Sequence, residues 1–407
     1  MRHVIIGSGA AGIAAAKTIR SINKDDEIIM VSSDDVIYSR CMLHKYLENN
    51  RDISSLNFVS DDFFSVNNII WHKGKCATRV DTKNNCILLQ DTTLSYDKLL
   101  IATGSDPVIP NVGKFRTATN VYGFRHLTDA EIIREKAKHA KKIIIIGAGL
   151  VGLDIAYALL ELKKTLTVIE MVPQIMPLNL DSATATVYQK LFEQNGCNFK
   201  LNSKITNTIS NEKGEITHVI LETGENLTCD MIIMAAGVKP SVKFLEESNV
   251  KCEQGVKVDQ YLRTSCENVY AAGDVTALGG IWSCAVKQGE VVAKNMCGIK
   301  TQFTDTFTAK NTINFFNLPT VSVGNINPTK DDTTLIRESH TCYQKIILRN
   351  SSIIGAILQG NIAHSGIWQY LIKNEVDISK LKKPVWDISF ADFYGIDEKG
   401  QYTYNCI

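Results

Sequence analysis

Lys142–Leu159 reads KIIIIGAGLVGLDIAYAL: four consecutive isoleucines, a G-x-G-x-x-G turn, then small and apolar residues. A β-branched run closed by glycine suits a strand buried on both faces, and the stretch after the glycines suits a helix. The apolar run from Ile143 to Leu160 approaches membrane-spanning length, but three glycines and Asp154 argue for strand, turn and buried helix instead. The same design occurs at His3–Ile19, HVIIGSGAAGIAAAKTI. Each copy is followed by a second strand, EIIMVSS from Glu27 and LTVIE from Leu166. One G-x-G-x-x-G is a weak signal. Two, each between a β-branched run and a small-residue helix, predict two dinucleotide-binding βαβ units in an α/β chain.

The residue types follow from the chemistry. Gly7 and Gly147 permit the tight turn, Gly9 and Gly149 let backbone approach a pyrophosphate, and Gly12 and Gly152 let helix pack on strand. The helix start then offers unpaired N–H groups and a positive dipole end to phosphate. Glu170, 23 residues beyond Gly147, ends the second strand of its unit. A carboxylate there accepts from a ribose 2′-hydroxyl and repels a 2′-phosphate, and MVPQIMP after it holds no arginine, so NADH is favoured over NADPH. In the first unit the matching strand ends VSSDD, and Asp34 is the expected ribose acid. Three further strand–glycine junctions stand at Tyr96–Pro107 (with Thr103 and Gly104), Asp230–Pro240 (with Gly237) and Asn268–Gly280 (with Gly273 and Asp274).

Composition excludes several classes. With 407 residues, 44% hydrophobic and 21% charged, the chain is expected to form two or three globular domains. Lys plus Arg (44) balances Asp plus Glu (43), leaving no global field for nucleic acid or membrane. The N-terminus enters a strand without the basic head and cleavage site of a signal peptide, so a cytoplasmic protein is expected. Eleven cysteines without C-x-x-C and eight histidines without ligand spacing point to no metal centre.

GSGAAG at 7–12, ATG at 102–104, GAGLVG at 147–152, AAGVKP at 235–240 and AAGDV at 271–275 together resemble the FAD/NAD(P)-dependent pyridine nucleotide–disulfide oxidoreductases over nearly the whole chain. The resemblance implies two Rossmann-like domains plus a small α+β C-terminal domain. Residues 1–107 and 240–300 would bind FAD, 108–239 would bind NAD(H), and 301–407 would form the third domain. It places Asp274 on the FAD ribityl and pyrophosphate region, and the helix from Trp282, with Ala285, at the flavin pyrimidine ring. A helix dipole there would stabilise the negative charge of reduced flavin. Ala285, Gly289 and Ala293 recur every four residues, a face suited to close packing.

Within that class, Ile37–Leu47, IYSRCMLHKYL, looks like the Y-x-R-P-P-L-S-K segment of NADH:rubredoxin reductases and of the flavin module of NADH nitrite reductase. Tyr38, Arg40, Leu43 and Lys45 match; Cys41, Met42 and His44 depart from it. The C-x-x-x-x-C disulfide of the glutathione-reductase branch is missing. By resemblance Lys45 sits near flavin N5 and faces Asp154, which replaces a longer glutamate, so a long or water-bridged pair is expected. That pair either tunes hydride arrival or only docks two domains. Cys41 falls where coenzyme A–disulfide reductases and NADH oxidases carry a redox cysteine. Arg40, Lys45 and a charged His44 would lower its pKa, whereas the alternative is a cysteine that merely packs.

The expected function is transfer of hydride from NADH to FAD, then of electrons to a small redox protein of rubredoxin or ferredoxin type. The alternatives are Cys41-dependent reduction of coenzyme A disulfide, a persulfide or oxygen, and, from another class, a flavin-bound NADH sensor without turnover. A monomer or homodimer is expected.

Overall fold

A computed structural model describes the chain apart from residues 49, 306, 308, 309 and 405–407. It is a mixed α/β protein with parallel Rossmann-like sheets and a C-terminal antiparallel sheet. The chain forms two compact units. One comprises Met1–Gly147, Asp154–Leu166 and Ile205–Thr308; the other comprises Ala148–Leu153, Thr167–Lys204 and Ala309–Ile407.

The first unit is built on a five-stranded parallel sheet in the order Val269–Ala271, Lys98–Ile101, Arg2–Ile6, Glu27–Val31 and Ile69–His72. Alternation along these strands feeds two cores. Ile5, Ile28, Met30 and Leu100 pack with Ala15, Ala16 and Ile19 of helix Ala10–Ile22 and with Val292, Ala293 and Met296 of helix Trp282–Met296. Val4, Ile6, Ile29, Val31, Leu99 and Ile101 face Val80, Ile87 and Leu89 from a three-stranded antiparallel sheet. Burial on both faces explains why these strands are continuous β-branched and leucine runs. Three more parallel strands, Lys142–Ile146, Met231–Met234 and Val121–Gly123, carry the second glycine turn. Ser105–Pro107 and Val238–Pro240 pair antiparallel as the chain leaves the Thr-Gly junction and returns.

Gly7 and Gly147 show why both turns need glycine. Their φ angles are +114° and +105°, and a Cβ would stand 2.2 Å from the Ala102 carbonyl oxygen and 2.4 Å from that of Ala235. Left-handed backbone and carbonyl contact together exclude any side chain.

In the second unit, strands Lys310–Phe315, Leu318–Gly324, Ser352–Gln359, Cys342–Arg349 and Thr333–Ser339 form an antiparallel sheet in that order. Helix Ser365–Lys373 packs on it through Trp368 and Leu371, both essentially inaccessible. Helix Ser182–Gln194 is tied to the same sheet. Its Tyr188 hydroxyl bonds the Leu318 carbonyl and Thr320, and its N-cap Asp181 takes Tyr343 at 2.8 Å and Lys345 at 3.1 Å.

Candidate functional site

A cleft opens at the carboxyl ends of the first parallel sheet, where the strand order places four loops side by side. The glycine turn supplies Gly7–Ala11 and the second strand supplies Val31–Asp34. Ala102–Gly104 and Ala272–Asp274 come from the two strands on the other side, and Gly280–Trp282 with Ala285 from the start of helix Trp282–Met296. Arg40 and Cys41 close one wall. Gly7, Gly9, Asp34, Arg40, Cys41, Thr103, Gly104, Gly273, Asp274, Trp282 and Ala285 are thus brought together. Gly12 lies one helical turn behind, where a Cβ would stand 2.0 Å from the Gly7 oxygen.

The cleft is rich in unsatisfied donors. Helix Ala10–Ile22 begins at Gly9 and helix Trp282–Met296 at Ile281, each without a side-chain cap, so their first N–H groups are free for an anion. Arg40 adds a full charge. A Cβ on Gly9 would meet its Nη1 at 3.5 Å, which sets the guanidinium against the glycine turn.

Asp34 lies on the cleft wall and is engaged by its own neighbours. Its two oxygens accept from Arg40 Nη2 at 2.7 Å and from the Tyr38 hydroxyl at 3.0 Å. The loop folds back within six residues, so the acid reaches the cation beside it, and its visible task is to aim Arg40.

Arg125 is a cleft residue that sequence reasoning missed. It donates through Nη2 to Asp274 Oδ2 and through Nε to the Ser105 carbonyl at 3.3 Å. Ser105 Oγ also approaches Asp274 Oδ2, at 3.4 Å. No local motif marks Arg125, because its partner lies 149 positions away.

Lys45 acts on Asp154 only at longer range, and its direct partner is another acid. Lys45 Nζ donates to both oxygens of buried Glu48, at 2.9 and 2.8 Å, and lies over the Tyr157 ring at 5.9 Å. One helical turn separates Lys45 from Glu48, so this local carboxylate captures it. Asp154 instead has His44 Nδ1 3.9 Å from its Oδ2. Burial lifts the Asp154 carboxyl to about 7, against the pull of Lys45 and with a small push from Glu48. Burial, helped by Lys45, lowers His44 to about 4. Near pH 7 the imidazole is neutral, so the contact is no ion pair.

That arrangement gives a pH signature. A carboxyl whose folded pKa lies above its unfolded value keeps its proton longer in the native state, so native stability falls as pH rises from about 4 to about 7. Asp154→Asn is therefore expected to match wild type in melting temperature near pH 4 and to exceed it increasingly up to pH 7–8. Parallel melting curves at pH 4.5 and 8 test this; a constant offset would show that Asp154 is not protonated by burial.

Cys41 opens to the cleft but is crowded from bulk water by its walls. That crowding raises its thiol pKa, opposed by Arg125 and Arg40 and reinforced by Asp274 and Asp154. Of the expected thiolate-favouring cations Arg40 does contribute, and Arg125 adds to it, but burial outweighs both; His44 is uncharged and Lys45 is taken by Glu48. Of the remaining cysteines, Cys406 lies outside the described residues.

Beyond the second glycine turn, Glu170 Oε2 accepts the Ala148 N–H at 2.8 Å, and Oε1 accepts those of Met171 and Val172 at 2.7 and 3.2 Å. A Cβ on Gly149 would meet nothing within 4 Å, leaving that turn open to approach. Gly237, with φ +97°, closes the strand Met231–Met234; Gly152 lies in helix Leu150–Leu160. Among the described residues no cluster of His, Cys, Asp or Glu is placed to hold a metal, and no helix is long and apolar enough to cross a membrane.

A family profile described as pyridine nucleotide-disulphide oxidoreductase matches residues 1–289. The chain belongs to that family. Residues 310–376 match a second profile, the rubredoxin NAD+ reductase C-terminal domain. Among curated relatives of the chain, a nitrite reductase [NAD(P)H] of Bacillus subtilis is 29% identical over 93% of this chain and 48% of its own length. An NADH oxidase of Methanocaldococcus jannaschii is 32% identical over 74% of this chain and 71% of its own. The chain spans about half the length of the first curated relatives it matches. The solved structure of an NAD-dependent persulfide reductase from A. fulgidus superimposes with a TM-score of 0.84 at 26% identity, covering 94% of this chain and 78% of that one.

Proposed function

We propose that this oxidoreductase binds FAD in the cleft, takes hydride from NADH and delivers electrons to a small redox protein of the rubredoxin or ferredoxin type. The observation that carries the reading is the cleft's donor set: two uncapped helix starts and Arg40 for a diphosphate, with Asp274 as acceptor for hydroxyls. Bound there, FAD would accept hydride at N5 and release the two electrons together or singly. The Gly9 turn and Arg40 would hold the pyrophosphate. Asp274, aimed by Arg125, would hold the ribityl chain, and the helix start at Trp282 would face the pyrimidine. Residues 1–107 and 240–300 would then serve FAD, 108–239 NADH, and 301–407 the remaining domain, whose match to a rubredoxin reductase segment favours a protein acceptor.

Glu170 would select NADH by accepting from the adenosine ribose. Glu170→Ala is expected to raise the NADH Kd by about tenfold more than that of NADPH, the worth of a charge-assisted bond in this setting. Equal losses in a binding titration would take Glu170 off the ribose.

A second reading, electron transfer through Cys41 to a disulfide, persulfide or oxygen, is favoured by the thiol's place on the cleft wall and by the persulfide reductase likeness. Its raised pKa favours the first reading. Anaerobic titration of the flavin-loaded protein with NADH and dithionite separates them. Two electrons per FAD are expected, unchanged in Cys41→Ser. Four electrons, falling to two in that variant, would transfer the chemistry to the thiol.

A further inference from the structure

Gln288 lies in the second turn of helix Trp282–Met296, has no exposed surface and does not line the cleft. Both ends of its amide are spent on the loop that precedes the helix. Oε1 accepts the Gly273 N–H at 2.6 Å; Nε2 donates to the Leu278 carbonyl at 2.6 Å and lies 3.3 Å from Cys284 Sγ. Thr276 completes the clasp. Its hydroxyl donates to the Gly273 carbonyl at 2.8 Å and accepts the Leu278 N–H at 3.2 Å. The loop needs holding, since Gly273 and Ala277 have φ of +82° and +57°, and alanine resists the left-handed region.

This loop carries Asp274 and delivers Gly280 and Ile281 to the uncapped helix start, all on the cleft wall. We propose that Gln288 is a positioning residue for the flavin: it locks the Asp274 loop to the helix whose N–H groups face the cofactor. The inference rests on FAD occupying the cleft. Its physical content is differential. Reduced flavin carries more negative charge than oxidised flavin and gains more from a fixed helix N-terminus, so loosening the clasp weakens the reduced form more.

The test uses the full chain loaded with FAD. Gln288→Met keeps the side chain's length and removes both hydrogen bonds; Thr276→Val removes only the second arm. Gln288→Met is expected to lose reduced flavin about tenfold more than oxidised flavin, which makes the two-electron midpoint potential about 30 mV more negative. Thr276→Val should shift it the same way by less. Melting temperature is recorded alongside, since a packing residue would lower it while leaving potential and visible spectrum unchanged. That result, or a shift to more positive potential, overturns the inference. A wild-type chain that takes up no FAD would sink the functional reading and this one with it, whereas a flavin-loaded wild type with an unmoved variant potential sinks this one alone.

Discussion

Gly289→Val is expected to lower the melting temperature by roughly 10 °C, the effect of about 3 kcal/mol of overpacking in a unit of this size. The purified variant should also fail to retain FAD through gel filtration. A Cβ at position 289 would stand 2.2 Å from the Ala11 carbonyl oxygen and 3.0 Å from its carbon. Both are backbone atoms in the first turn of helix Ala10–Ile22, so no rotamer change relieves the clash. The two helices must move apart, and the starts of both line the cleft. Gly149→Ala is the control, because nothing lies within 4 Å of that Cβ. Its melting temperature should stay within a degree or two of wild type, as for a substitution away from packed contacts. A Gly289→Val protein that melts like wild type and stays yellow would show that the two helices do not cross this closely.

Asp274→Ala should cost FAD affinity about a hundredfold, since it removes a carboxylate acceptor and leaves the Arg125 guanidinium partly buried beside the cofactor without its partner. Asp274 and Arg125 are each only about a fifth exposed, and Ser105 ties both to the strand that leaves the Thr-Gly junction. They act as one unit, so the double variant Asp274→Ala/Arg125→Ala should lose less than the sum of the single losses. Fluorescence titration of the apoprotein with FAD measures all three. Additive losses would mean that Arg125 and Asp274 act on the cofactor independently.

The parts legible in the sequence are those set by short-range geometry. Two G-x-G-x-x-G turns between β-branched runs and small-residue helices announced both parallel units, because positive φ and carbonyl contact leave only glycine at Gly7 and Gly147. Ala285, Gly289 and Ala293 announced a close helix contact for a similar reason: a four-residue repeat puts them on one face. Three of the cleft's four strand-end loops were legible too, each marked by its own strand–glycine junction.

Which charge meets which was decided by the tertiary structure. Lys45 faced a choice between Asp154, 109 residues on, and Glu48, one turn on; only the fold shows that the local acid takes it. Arg125 had no local sign because Asp274 reaches it across 149 residues of chain. Cys41 and Asp154 illustrate the rest. Sequence shows the cations near a thiol or carboxyl, but desolvation is a property of every wall around the group. It outweighed those cations at both residues, raising the thiol's pKa and lifting the carboxyl's to about 7. Backbone constraint is written residue by residue and can be read from the chain; burial and long-range pairing are sums over neighbours that the chain assembles only when folded.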